Sequence, residues 1–160
     1  MLIRIIANFN DERATLGILG KGPLQGELQN LIDELGVSLR VKLLGTDKNP
    51  FKFIKNAQCF VCASRFEGFS NVLLEALACE RFIISTDHKS GARELLGDDE
   101  YGILTPVDDK KAMEAAMRRA LEDEDLRQDY EKKAYGRVAK FDKNAVAAQL
   151  IGYLEGENGE

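Results

Sequence analysis

The stretch CFVCASRFEGFSNVLLEALACERFIIS, residues 59–85, reads as strand, loop, helix and strand in succession. Cys59 to Ala63 is a short apolar run of strand length, and Phe82 to Ser85 is a second one. Between them Ser64-Arg65-Phe66-Glu67-Gly68-Phe69 is a loop, and Ser70 is placed to cap the helix Asn71 to Cys79. That helix is nearly all apolar, so it is expected to be buried on most sides. A strand, a covering helix and a further strand make one unit of a parallel sheet.

The same alternation extends in both directions. Leu2, Ile5, Ile6 and Phe9 keep helical spacing in the opening segment. Leu16 to Leu19 is a strand stopped by Gly20-Lys21-Gly22-Pro23. Pro23 suits the first turn of the next helix, which carries Leu24, Leu28, Leu31, Ile32 and Leu35 on one face and ends at Gly36. Val41 to Leu44 is a strand closed by Gly45, and a short helix over 50–56 precedes Cys59. Downstream come a helical turn, Ala92 to Leu96, and a weak strand, Gly102 to Leu104. Three helical stripes then follow: Met113, Ala116, Met117 and Ala120; Tyr130, Ala134 and Val138; Val146, Leu150 and Tyr153. The expectation is one α/β domain, a Rossmann-like parallel sheet with helices on both faces, over residues 1–155. The tail 156–160 is expected to fray.

Composition fits that reading. The chain has 160 residues, is 44% hydrophobic and 31% charged, and carries a net charge of −5. The acid excess argues against a nucleic-acid partner. No apolar run approaches the roughly 18 residues that span a membrane, and Met1-Leu2-Ile3-Arg4 lacks the order of a signal peptide. A cytoplasmic protein is expected. The cysteines are Cys59, Cys62 and Cys79, an odd count that argues against a disulfide scaffold. Cys59 and Cys62 have zinc-pair spacing, but on a strand their thiols face opposite sides. They are expected to be core residues, with no metal site.

Ligands of parallel sheets bind outside the carboxyl ends of the strands. The loops 20–23, 45–49, 64–70 and 85–91 are expected to share that rim, with Lys21, Lys48, Arg65, Lys89 and Arg93 in or beside them. His88 reads as an exposed loop histidine. Asp98-Asp99-Glu100 and the run 122–125 read as solvated turns and helix ends. Several activities lack their residues. Gly20-Lys21-Gly22 misses the dinucleotide fingerprint, because the third glycine falls at Gly26 and no acid closes the second strand. There is no P-loop and no nucleophile elbow. A phosphoacceptor receiver would need carboxylates where Gly20 and Ala63-Ser64 stand.

Glu67 and Glu75 remain. A carboxylate in a buried helix needs a partner, so either Glu75 lies on a wet edge, or pairs with Arg65 or Arg81, or it serves a ligand. The ligand reading has physical content. The helix start, through the amides of Phe69 to Val72, would grip an anion. Glu67 and Glu75 would then accept hydroxyls on either side of it, and Gly68 would allow close backbone approach.

Glu67 and Glu75, seven residues apart within SRFEGFSNVLLEALAC, resemble the EX7E motif of retaining GT-B glycosyltransferases, family four, the glycosyl transferase group 1 proteins. LGILGKGPLQGELQNLIDELGVSLRVKLLG is similar to the segment before that family's nucleotide site, and SGARELLGDDEYGILTPVDD to the segment after it. The likeness covers residues 2–155. It implies the C-terminal half of a GT-B fold and a nucleotide-diphosphate sugar donor, UDP being the expected nucleotide, with no metal. It also implies a hexose transfer to a glycan or lipid-linked acceptor. Glu67, as the catalytic carboxylate, would hold and orient the donor hexose. Glu75 would bind the ribose, and Gly68, Phe69, Ser70, Asn71 and Val72 the sugar and distal phosphate. Thr46 and Asp47 would meet the base. The family's basic Arg–Lys pair and its N-terminal acceptor domain would lie upstream of Met1. The isolated chain is therefore expected to be inactive, and the full-length protein to lie in the cytoplasm or against the inner membrane face. A GT-B nucleotide-sugar epimerase and a noncatalytic nucleotide-sugar binding module are the alternatives. A glycosidase using both carboxylates is disfavoured, since it needs no nucleotide.

Overall fold

A computed structural model describes residues 1–67, 70–89 and 91–142. The elements in order are α1 (Leu2–Asn8), β1 (Leu16–Leu19), α2 (Gln25–Glu34), β2 (Val41–Gly45), α3 (Phe51–Asn56) and β3 (Cys59–Cys62). They continue as α4 (Asn71–Ala78), β4 (Phe82–Thr86), α5 (Ala92–Leu96), β5 (Ile103–Thr105), α6 (Lys110–Glu122) and α7 (Glu124–Ala139). The expected third stripe and the tail lie outside the described residues.

All strand pairs are parallel, but they form two ladders rather than the single sheet expected. β1 pairs with β2, Leu16 opposite Val41. β4 lies between β3 and β5, with Cys59 opposite Phe82 and Ile84 opposite Ile103. Among the described residues no strand joins the ladders, and a ladder bond requires backbones about 4.8 Å apart. Apolar packing unites them instead. Leu16, Ile18 and Leu43 from the first ladder and Val61, Phe82 and Ile84 from the second enter one core with Ile5, Ile6, Ile32, Met113 and Met117.

A second core lies across β4. Phe82 and Ile84 point into the first core, whereas Ile83 packs with Cys62, Leu73, Leu77, Leu95 and Leu96. This two-residue alternation, with every β4 residue buried, is what a central strand covered on both faces requires. Phe82 also stacks on Tyr130 of α7, ring centroids 4.8 Å apart. Cys59 and Cys62 enter opposite cores, as their strand spacing predicts.

Polar residues set the helix limits. Asp109 accepts from Ala112 N at the start of α6, and Asp123 from Leu126 N at the start of α7, so the acidic run 122–125 contains a cap as well as a solvated turn. Pro23 lies two residues before α2 rather than in its first turn, and Leu24 is exposed at the cap position. Here the chain makes a turn, closed by Gln25 N donating to Gly22 O at 3.2 Å, while Gly20 N donates to Gly45 O at 2.7 Å and extends the β1–β2 ladder.

Candidate functional site

The site forms where β3, β4 and β5 end. Being parallel and adjacent, they deliver their exit loops to one rim. Thr86 Oγ1 donates to Ser64 O at 2.5 Å, and Asp87 N to Thr105 O at 2.7 Å. These bonds fix the loop after β3 against the ends of the other two strands.

Glu67 is the centre of that loop. Ser64 Oγ donates to its Oε1 at 2.5 Å and Ser70 Oγ to its Oε2 at 2.6 Å, while Cys62 Sγ lies 3.8 Å from Oε1. Burial pushes the carboxyl pKa up, but the two hydroxyl bonds and the neighbouring His88 outweigh it and hold the group below its ordinary value. Glu67 is thus an ionised, half-buried acid whose two oxygens are both oriented.

Ser70 sits at the cap position of α4 but makes no side-chain cap bond. Its backbone carbonyl accepts from Leu73 N and Leu74 N. Among the described residues the leading amides of the helix, at the exposed Asn71 and Val72, have no backbone partner, the arrangement that favours an anion. The sequence expectation of a helix buried on most sides is corrected here. Leu73, Ala76 and Leu77 are buried, whereas Asn71, Val72 and Ala78 are exposed and Glu75 is half-buried beside them. An eight-residue helix on a sheet shows one face inward and one outward. Glu75 lies on the wet side, one helical turn from Asn71, and forms no ion pair among the described residues.

The expected partners of Glu75 are committed elsewhere. Arg65 pairs with Asp108 at 2.8 Å, rather than with Glu67 or Glu75, and Arg81 pairs with Glu131 at 3.3 Å. Arg65, Phe66, Asp87, Lys89, Arg93 and Val107 line one depression beside the Glu67 loop, so three of the five rim cations converge. Arg93 is neutralised by Asp87 and Asp98.

Thr46 and Asp47 belong to the other ladder, exposed at the end of β2. Asp47 is engaged locally, accepting from Asn49 N at 2.9 Å and Lys52 Nζ at 2.6 Å, and these bonds lower its pKa. Gly68 and Phe69 lie outside the described residues. The structure therefore gathers Glu67, Ser70, Asn71, Val72 and Glu75 on one loop–helix unit and holds Thr46 and Asp47 on a separate one.

His88 corrects a second expectation. It is 2% exposed, not a solvated loop residue, and neither ring nitrogen has a hydrogen-bond partner among the described residues. It lies two residues beyond β4, buried between the half-buried Asp87 and the exposed Lys89. Ser64 adds a site residue that the sequence reading does not single out, although its position three residues before Glu67 mirrors that of Ser70 three residues after.

The fold and the site define a parallel α/β domain with an ionised acid at the mouth of a helix on the strand-end rim. The family model described as glycosyl transferases group 1 matches residues 1–137, and the chain belongs to that family. Over 156 residues it is 47% identical to the N-acetylgalactosamine-N,N'-diacetylbacillosaminyl-diphospho-undecaprenol 4-alpha-N-acetylgalactosaminyltransferase of Campylobacter jejuni, covering 98% of this chain and 42% of that protein. It is 32% identical over 160 residues to the phosphatidyl-myo-inositol mannosyltransferase of Mycolicibacterium smegmatis, covering 99% of this chain and 40% of the relative. The chain thus spans about two fifths of these curated relatives. Among solved structures, Anabaena Alr3699/HepE in complex with UDP superposes with a TM-score of 0.85 at 23% identity, over 97% of this chain and 44% of that one. TarM gives 0.85 at 21% identity, over 99% and 32%. The α/β class of GT-B type expected from the sequence is the one observed. No helix among the described residues is long and apolar enough to cross a membrane.

Proposed function

We propose that this chain is the donor-binding half of a retaining glycosyltransferase, which moves a hexose from a nucleotide-diphosphate sugar, foremost a UDP-sugar, to a glycan or lipid-linked acceptor. The acceptor site and the cleft's other wall belong to a further, N-terminal domain, without which the chain binds donor weakly and transfers nothing. The observation that carries this reading is Glu67, oriented by Ser64 and Ser70 at the uncapped start of α4. The Campylobacter relative's name, with its diphospho-undecaprenol acceptor, and the UDP bound to Anabaena HepE favour a lipid-linked acceptor and a uridine donor.

In this reading the ionised Glu67 accepts hydrogen bonds from the donor hexose. The amides of Asn71 and Val72, with Gly68, Phe69 and Ser70, receive the sugar and the distal phosphate. Glu75 takes the ribose hydroxyls, and Thr46 and Asp47 meet the base. The anomeric carbon–oxygen bond to the diphosphate breaks as the acceptor oxygen bonds to the same face, and the acceptor proton passes to the departing phosphate oxygen. Negative charge grows on that phosphate, where helix amides act most strongly. The helix and nearby cations supply this stabilisation without a metal.

The test uses the full-length protein. Incubation with UDP-, GDP- and ADP-sugars and a polyprenyl-diphosphate glycan should release one nucleoside diphosphate and yield a product of unchanged anomeric configuration by NMR. Inverted product would overturn retention. An epimerised sugar formed without acceptor would establish the epimerase reading, and donor binding without turnover the binding module.

A further inference from the structure

The proposed donor carboxylate, Glu67, belongs to a cluster whose other two side chains, Cys62 and His88, donor binding does not use. Cys62 Sγ, a Glu67 carboxylate oxygen and a His88 ring nitrogen all lie within 4.8 Å of one another. Cys62 is 6% and His88 2% exposed. Both ring nitrogens of His88 are buried without a hydrogen-bond partner among the described residues. A buried imidazole in that state is costly, and a cation among these three ligand atoms would give it a partner. We propose that Cys62, Glu67 and His88 form a three-ligand site for one borderline-soft divalent cation, Zn2+ in the first instance.

The donor set selects the metal. Thiolate, imidazole and carboxylate are the ligands of Zn2+, whereas Mg2+ and Ca2+ take oxygen. With a thiolate, a carboxylate and a neutral imidazole the bound ion's charge is balanced. The thiol proton leaves to solvent as the sulfur–metal bond forms. Geometry agrees. In a tetrahedral zinc site sulfur and oxygen ligands stand about 3.6 Å apart, from bond lengths of about 2.3 and 2.1 Å. Cys62 Sγ and Glu67 Oε1 are 3.8 Å apart. Two of the ligands come from rigid positions, since Cys62 ends β3 and His88 follows β4, its hydrogen-bonded neighbour. Glu67 is half-buried and gives the cluster access to solvent. Three protein ligands leave a fourth position open.

The site is tested on the full-length protein with Co2+, whose tetrahedral thiolate complexes absorb in the near ultraviolet by sulfur-to-metal charge transfer. One equivalent of Co2+ should develop the band, Zn2+ should abolish it stoichiometrically, and excess Mg2+ should leave it intact. Cys62→Ala should remove the band and His88→Gln should weaken binding by more than the roughly tenfold that loss of an outer-shell partner costs, while Cys59→Ala and Cys79→Ala should retain it. If either ligand variant misfolds by circular dichroism, X-ray absorption of the Zn2+-loaded native protein decides, with one sulfur and one imidazole ligand expected. Absence of the band from the native protein, its persistence in folded Cys62→Ala, or a zinc shell without sulfur would each overturn the proposal. None of these readouts depends on nucleotide or transfer.

Discussion

Ser70 Oγ donates to Glu67 Oε2 at 2.6 Å from a fully buried position at the start of α4. The residue that would ordinarily cap the helix braces an acid instead and makes no side-chain cap bond. Hydrogen bonds to charged groups are worth about 1.5–3 kcal/mol. Ser70→Ala should therefore loosen Glu67 and weaken donor-sugar binding by roughly tenfold or more, while UDP itself, lacking the hexose, binds nearly as before. Calorimetric titration of the full-length protein with UDP and a UDP-sugar separates the two effects.

The lowered pKa of Glu67 has a direction in stability. Its folded value lies below the ordinary 4.5, so the unfolded chain takes up the proton first as pH falls. The contribution is complete above the unfolded pKa and is lost as pH drops through the folded one. Urea unfolding between neutral pH and about pH 3 should show a shallower acid-side loss in Glu67→Gln than in the native protein. Equal slopes would mean that the two serine bonds do not favour the ionised form.

Much of this was legible in the sequence because it rests on local pattern. The run Phe82-Ile83-Ile84-Ser85 reads as a strand of a covered parallel sheet, and the spacing of Met113, Ala116, Met117 and Ala120 as a helix stripe; both enter the cores as expected. What failed depends on contacts between distant segments. Nothing local to His88 states that its ring is buried beside Cys62 and Glu67. Nothing near Arg65 indicates Asp108, forty-three residues away. The apolar composition of the helix bearing Glu75 suggests burial on most sides, because composition carries no orientation. One face of α4 is paid for by Leu73, Ala76 and Leu77, and the opposite face is wet even where it is apolar, as at Val72.

Glu75 is half-buried, on the wet side of α4, and holds no ion pair among the described residues. Glu75→Ala should therefore alter stability by less than about 0.5 kcal/mol, the range of ordinary surface substitutions. The proposed ribose contact nonetheless requires it to lose most nucleotide affinity. Thermal unfolding and nucleotide titration of one preparation give both numbers. Unchanged UDP affinity in a folded Glu75→Ala protein would remove the ribose assignment.

Gly102 leads into β5 beneath the rim. A Cβ there would stand 2.8 Å from Ile83 O and 3.1 Å from Leu96 Cδ2. The carbonyl belongs to the central strand and cannot move without disturbing both cores. Gly102→Ala should destabilise the fold by about 1–3 kcal/mol through overpacking, read as a lower denaturation midpoint with an unchanged m-value. Gly22, where a Cβ meets nothing within 4 Å, is the matched control, and Gly22→Ala should be close to neutral.

The proposed metal site and the proposed donor site share Glu67, and one carboxylate cannot serve a bound cation and a sugar hydroxyl equally well. Zn2+ should therefore inhibit transfer competitively with the donor, and a chelator should restore it. Cys62 is the discriminating position, since it supplies the thiolate of the metal site and meets the donor carboxylate only through a long 3.8 Å contact with Glu67 Oε1. In Cys62→Ala, inhibition by micromolar Zn2+ should disappear while the donor KM stays within about twofold; the coupling expected between sites with one common ligand is lost when metal affinity is lost. Inhibition that persists in this variant would place the inhibitory zinc elsewhere, for instance on the free diphosphate of the donor. Initial rates at several donor concentrations, with and without Zn2+, distinguish these cases.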